Sequence, residues 1–145
     1  MVDPYLILLV EDNSDDELLT IRALRKVRPA CHVIVKRDGE EAEEYLAGLL
    51  SLDAGPTPDL ILLDLKLPKL DGFEVLDLVR SNPKVGRTPT IMLSSSDEPT
   101  DLLRCYEKGA SGFVRKPVGF DDYADAVRVL GLYWMGVNLS PARLL

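Results

Sequence analysis

A single histidine, His32, occurs in the 145 residues. A His-based triad, a His-rich metal centre and an autophosphorylating histidine-kinase core therefore have almost nothing to be built from, and His32 is expected at the start of a strand without a chemical role. The two cysteines, Cys31 and Cys105, are far apart and neither has a CxxC partner, so they make no disulfide framework or thiolate metal site and read as ordinary thiols. No apolar run approaches the roughly 20 residues of a membrane span. The start, Met1-Val2-Asp3-Pro4-Tyr5, lacks the basic region of a signal peptide, so a cytoplasmic protein without membrane contact is expected. Cationic side chains are also scarce: 17 Lys and Arg against 24 Asp and Glu give a net charge of −7, which argues against a nucleic-acid surface. Internal repeats and low-complexity segments are lacking as well.

What is present has the size of one domain. The 46% hydrophobic and 28% charged content is that of a soluble globular protein. Positions 1–137 are expected to form the domain and 138–145 a short tail. The organising stretch is Asp59-Leu60-Ile61-Leu62-Leu63-Asp64, followed by Leu65-Lys66-Leu67-Pro68-Lys69-Leu70-Asp71-Gly72. Four apolar residues, then a carboxylate, then a Pro and Gly loop describe a strand buried on both faces and ending in a polar site. Residues 5–10 (YLILLV) repeat the pattern and end in Glu11-Asp12-Asn13. Shorter strands are read at 31–36, 89–94 and 112–115.

Helices fill the intervals. Ser14 to Glu17 reads as a capping box with Ser14 as the cap, Asp38-Gly39 opens a second helix, and Asp71 to Glu74 caps a third. A fourth runs from about 99 to 108, with Gly109 just past its end. Phe120, Tyr123, Ala124, Val127, Leu130, Gly131 and Trp134 trace the core face of a last helix. Residues 51–58 are a loop. Five βα units in succession predict an α/β fold, a doubly wound five-stranded parallel sheet in the flavodoxin-like order 2-1-3-4-5. In such a sheet ligands bind at the carboxyl ends of the strands, beside the switch in strand order.

Those ends carry Glu11 and Asp12 from the first strand, Asp64 from the third, Ser94 from the fourth and Lys116 from the fifth. Three converging carboxylates repel one another and one lysine cannot offset them, so the site calls for a divalent cation. An all-oxygen donor set suits Mg²⁺ or Mn²⁺. Such a site can receive a phosphoryl group on a carboxylate oxygen of Asp64, with Ser94 and Lys116 donating to the phosphoryl oxygens.

Taken in order, VEDN with Glu11 and Asp12, LLDLKLP with Asp64, the Asp71-Gly72 turn, LSS with Ser94 and FVRKP with Lys116 resemble the receiver domain of two-component response regulators over roughly the first 130 positions. The resemblance implies that Asp64 is the phosphoacceptor and that Asp12 and Asp64 bind Mg²⁺ directly. It further implies that Glu11 binds through water, that the Lys66 carbonyl is a further ligand, that Ser94 and Phe113 are the switch residues, and that the Lys116-Pro117 bond is cis. Glu11 stands where Asp is more frequent, and Phe113 lacks the hydroxyl of the more frequent Tyr. More narrowly, EEAEEYL, the 51–58 loop and VGFDDYADAVRVLGLYWMGVN are similar to the small stand-alone regulators paired with bacterial phytochromes.

The function this implies is a stand-alone regulator that takes its phosphoryl group from a sensor histidine kinase, here a bacterial phytochrome or a related sensor. It catalyses only its own phosphorylation and dephosphorylation. One alternative is a Mg²⁺-dependent phosphatase or phosphotransferase; enzymes of the haloacid dehalogenase type need a second Asp two residues after the nucleophile, where this chain has Lys66. The other is a pseudo-receiver that only binds, which the complete set of site residues disfavours. The second side of the last helix carries Val129, Tyr133 and Val137, ahead of Leu139, Leu144 and Leu145. A symmetric homodimer through the fourth helix, fifth strand and last helix is expected from this patch.

Overall fold

The computed structural model describes residues 4–143. Its elements alternate along the chain: β1 (Leu6–Val10), α1 (Ser14–Val27), β2 (His32–Lys36), α2 (Gly39–Gly48), β3 (Leu60–Asp64), α3 (Gly72–Ser81), β4 (Thr90–Ser94), α4 (Pro99–Glu107), β5 (Gly112–Arg115) and α5 (Phe120–Leu132). The strands form one parallel sheet in the expected order β2-β1-β3-β4-β5. Every residue of β1, β3 and β4 is buried, because helices cover both faces of the sheet.

Strand alternation divides the core into two layers. Leu8, Val10, Ile61, Leu63 and Met92 pack with Leu46, Leu76, Val79 and Cys105 on the α2, α3 and α4 side. Ile7, Leu9, Leu62 and Leu93 pack with Leu24, Tyr123 and Val127 on the α1 and α5 side. Across the α1–α5 seam, Thr20 Oγ1 and the buried Tyr123 hydroxyl share a hydrogen bond of 2.8 Å. Both cysteines are buried thiols; burial, aided by the charge of Asp101, pushes the Cys105 thiol up to about 11, which fits the inert role expected. His32 opens β2 and is exposed.

Three local expectations are corrected. Asn13, not Ser14, caps α1: its side chain accepts from the Asp16 amide at 2.9 Å, and Ser14 is already helical. Asn caps as well as Ser, and the chain leaves β1 one residue earlier than the capping-box pattern suggests; Glu17 turns to Arg37 instead. Phe120 is 70% exposed rather than part of the α5 core face, because the first turn of α5 lies beyond the stripe that begins at Tyr123. The Lys116–Pro117 bond is trans, since the described chain contains no cis peptide. The two X–Pro isomers differ by only about 0.5–1 kcal/mol, so local sequence does not choose between them.

After α5 the backbone makes a π turn over Tyr133–Val137 and a short 3₁₀ turn at Pro141–Arg143. Residues up to Arg143 are held against the amino ends of the strands. The buried carboxylate of Asp59 accepts from the Leu6 amide (2.9 Å), the Ser140 hydroxyl (2.7 Å) and Arg143 Nε (3.1 Å). Leu144 and Leu145 of the expected apolar tail lie outside the described residues.

Candidate phosphoacceptor and metal site

Parallel register puts the end of β1 beside the end of β3: Val10 pairs with Leu63, so the next residues, Glu11 and Asp64, meet at the rim. The first residues after β1 thereby bring Glu11 and Asp12 to Asp64, and ligand oxygens of the three carboxylates lie within 4.8 Å of one another. Glu11 is 1% exposed and Asp64 8%, whereas Asp12 faces solvent. An all-carboxylate set of this kind, two members buried and one open, fits a hard divalent cation that keeps part of its water shell. Burial pushes the Glu11 carboxyl up, and the hydrogen bond to Asp64 and that residue's charge add to the effect, with Lys116 opposing them.

The Lys116 backbone is fixed by its amide, which donates to the Ser94 carbonyl at 2.7 Å. Its side chain reaches across the carboxylates. Nζ donates to Glu11 Oε1 at 2.7 Å, Asp16 Oδ2 at 2.9 Å and Asp64 Oδ2 at 3.1 Å. Burial alone would lower this ammonium's pKa, but the charge of Asp64 and the bonds to Glu11 and Asp16 outweigh it and hold the lysine protonated well above its ordinary range. Three N–H groups meet three carboxylates from three elements, and each charge offsets part of the others' desolvation.

The loop after β3 is shaped by close contacts. A Cβ at Gly72 would lie 2.4 Å from the Asp64 carbonyl oxygen, and one at Gly39 would lie 2.1 Å from the Leu70 oxygen. Both glycines are required for space rather than for φ. The Asp71 capping box of α3 forms as expected. Lys69 takes a left-handed conformation at φ 71°, with Nζ near Asp38 and Glu40 at 3.5 and 3.6 Å. The Lys66 amide donates to Asp64 Oδ1 at 3.2 Å, and Lys66, Asp12 and Asp101 line a cleft of about 470 Å³ beside the carboxylates. A larger cleft, about 1190 Å³, lies at the opposite end of the sheet around Leu6 and Asp59 and contains none of the carboxylate cluster.

Ser94 and Phe113 are placed differently. Ser94 is fully buried and its Oγ accepts from the Ser96 amide at 3.1 Å. It follows Met92 in alternation, so it points to the α2–α4 side, where half-buried Phe113 also packs. The lysine cluster lies on the other side of the sheet. Asp16 is the residue that sequence reasoning misses, because the pattern gives it only a place in the start of a helix. The available signal was an acidic residue in the first turn of a helix that follows an acidic strand end.

Residues 7–128 match the family described as the response regulator receiver domain. The chain belongs to that family. Its regulatory domains accept phosphoryl groups on aspartate, work with histidine kinases and bind divalent metal. Among curated relatives, the probable methanogenesis regulatory protein FilR2 of Methanothrix harundinacea is 36% identical over 139 residues, covering 96% of this chain and 89% of that one. Response regulator Rcp1 of Synechocystis sp. is 34% identical over 139 residues, covering 96% and 95%. The solved Mn²⁺-bound form of Rcp1 superposes with a TM-score of 0.87 at 33% identity, covering 95% of this chain and 99% of that one. The phosphorylated cyanobacterial phytochrome response regulator RcpA gives 0.89 at 34% identity, with the same coverage. No described helix is long and apolar enough to cross a membrane.

Proposed function

We propose that this receiver acts as a cytoplasmic regulator in which Asp64 takes a phosphoryl group from the phosphohistidine of a phytochrome-type sensor kinase. The observation that carries this reading is Lys116 Nζ bonded to Asp64 Oδ2, with Asp64 one of three carboxylates whose ligand oxygens, those of Glu11, Asp12 and Asp64, lie within 4.8 Å of one another. Asp12 and Asp64, with the Lys66 carbonyl and, through water, Glu11, would hold the cation, for which Mg²⁺ is proposed with Mn²⁺ as a substitute. When bound, the cation shields the negative charge of the incoming phosphoryl oxygens. The Asp64 carboxylate oxygen attacks phosphorus, the P–N bond of the phosphohistidine breaks, and its electron pair returns to the imidazole. Lys116 then gives an N–H to a phosphoryl oxygen, and Ser94 can rotate its hydroxyl toward another. Water attack on the same phosphorus breaks the P–O bond to Asp64 and releases inorganic phosphate, which restores the carboxylate, so the chemistry is confined to the protein's own modification.

Exposed apolar side chains near the site, Leu18 on α1 with Val118 and Phe120 ahead of and at the start of α5, suit a kinase surface. The phytochrome pairing rests on likeness to RcpA. Output is proposed to pass through a homodimer on the α4, β5 and α5 face. Val129, Tyr133 and Val137 are all exposed there, and Phe113 on β5 adjoins it, so phosphorylation would alter this face by repacking Phe113. Neither nucleic acid nor a membrane is proposed as a partner.

Intact-mass measurement after incubation with a small acyl-phosphate donor and Mg²⁺ tests the reading. One phosphoryl group is expected on the wild type, none without the cation and none on Asp64→Asn. Equal labelling of the wild type and Asp64→Asn would overturn the assignment.

A further inference from the structure

We propose that Asp16 is a positioning residue for Lys116: it holds the ammonium beside Asp64 when a divalent cation occupies the carboxylate cluster, and so keeps lysine and cation from competing for the same oxygens. The proposal rests on the phosphoacceptor reading above. In this structure Lys116 Nζ uses all three N–H groups, on Glu11, Asp16 and Asp64. Glu11 and Asp64 are also members of the metal-competent cluster, while Asp16 is not. Glu11 and Asp64 would turn their oxygens toward a cation seated in the cluster, whose charge would oppose the ammonium. Of the three lysine partners, only Asp16 is left unclaimed.

Its placement suits that task. The Asp16 amide is fixed by the Asn13 side chain at 2.9 Å, and the first turn of α1 favours an anion there. One turn later Thr20 is bonded to Tyr123 of α5, so the segment of α1 carrying Asp16 is fixed against the element that follows Lys116. The Asp16 side chain is 27% exposed and that of Lys116 10%. The pair therefore sits at the mouth of the site, where an approaching phosphoryl oxygen can take over one lysine N–H while Asp16 keeps another.

If Asp16 acts through Lys116, its loss sends the ammonium wholly onto Glu11 and Asp64, and the cation must displace it. Calorimetric titration of the full chain with Mg²⁺ alone tests this in a double-mutant cycle. Asp16→Asn is expected to raise the Mg²⁺ Kd about three- to tenfold. In a Lys116→Ala background the same substitution should raise it less than about twofold, because no lysine remains to be misplaced. Asp16→Glu should restore most of the wild-type affinity, and circular dichroism melts identify any variant that has not folded. An equal factor in both backgrounds would overturn the proposal, since Asp16 would then act only as a nearby charge. An unchanged Kd for Asp16→Asn, or a wild type that binds no Mg²⁺, would also overturn it. Phosphoryl uptake by the wild type, measured in parallel by mass, decides the phosphoacceptor reading separately: uptake without coupling in the cycle sinks the role of Asp16 alone, and coupling without uptake sinks that reading alone.

Discussion

Gly72→Ala tests how tightly the loop after β3 determines the position of Asp64. A Cβ at this position would lie 2.4 Å from the Asp64 carbonyl oxygen, 2.6 Å from Leu65 Cα and 2.8 Å from the Leu65 oxygen. All three are backbone atoms, and the Gly72 amide already donates to that Leu65 oxygen at 2.8 Å. No rotamer change can relieve the contacts, so the Asp64–Leu65 peptide or the start of α3 must shift. Overpacking of this kind costs about 1–3 kcal/mol, which for a chain of this size lowers Tm by about 2–12 °C. The shift also moves Asp64, the proposed phosphoacceptor, relative to Lys116, and a displacement near 1 Å can slow a positioned reaction by up to about 10²-fold. Thermal melts and the rate of phosphoryl uptake from an acyl-phosphate donor read the two effects. Gly48→Ala is the control: a Cβ there meets nothing within 4 Å, and a stability gain of about 0.4–1 kcal/mol is expected. A Gly72→Ala protein that melts with the wild type and takes up phosphoryl at the wild-type rate would refute the reasoning.

Asp59→Ala removes the buried acceptor shared by the Leu6 amide, Ser140 and Arg143. A loss of about 2–3 kcal/mol in urea unfolding is expected, with Ser140→Ala costing about 1 kcal/mol; Asp59→Ala within about 0.5 kcal/mol of wild type would show that this anchor is not structural. Tyr45 carries a buried hydroxyl without a partner among the described residues. Tyr45→Phe should therefore match or exceed wild-type stability, and a loss above about 1 kcal/mol would reveal a bond to water or another group. For the proposed homodimer, Tyr133→Asp combined with Val137→Asp should shift light-scattering mass from dimer to monomer; a monomer throughout for the wild type, or a dimer unmoved by both changes, rules out that face.

The frame of this molecule is written in short apolar runs. Residues 6–10, 60–64 and 90–94 are strands because nearly every side chain is apolar and can be buried on both faces, and the polar residue ending each run marks the rim. That is why Glu11, Asp12 and Asp64 are legible as a group in the sequence, with Lys116 joining them from the end of the shorter strand at 112–115. Asp16 is not, because its partner is 100 residues away and a first-turn acid has an ordinary local use as a helix-start residue. Gly39 is hidden for the same reason: at the start of α2, its small size answers to Leu70 in the loop after β3. Phe120 reads as core by spacing alone, but spacing cannot say where along a helix the covering layer begins. The hold on the chain end through Asp59 was equally silent, since the residue looks like the start of a strand.

The two-layer core also gives the site two sides, with a consequence for signalling. Alternation places Glu11, Asp64 and Lys116 toward α1 and α5, and Ser94 with Phe113 toward α2 to α4. In this structure the first side is fully bonded, while Ser94 bonds locally to the Ser96 amide. A phosphoryl group on Asp64 would present three oxygens at the boundary between the sides, more than Lys116 alone can satisfy once it also keeps a carboxylate partner. The unmet acceptors would draw the Ser94 hydroxyl, and any motion there is felt next by Phe113, because β4 and β5 are paired with Met92 opposite Phe113 and Ser94 opposite Arg115. The α1–α5 side would then serve to hold the charge, and the α2–α4 side, ending at edge strand β5, would be the one that moves.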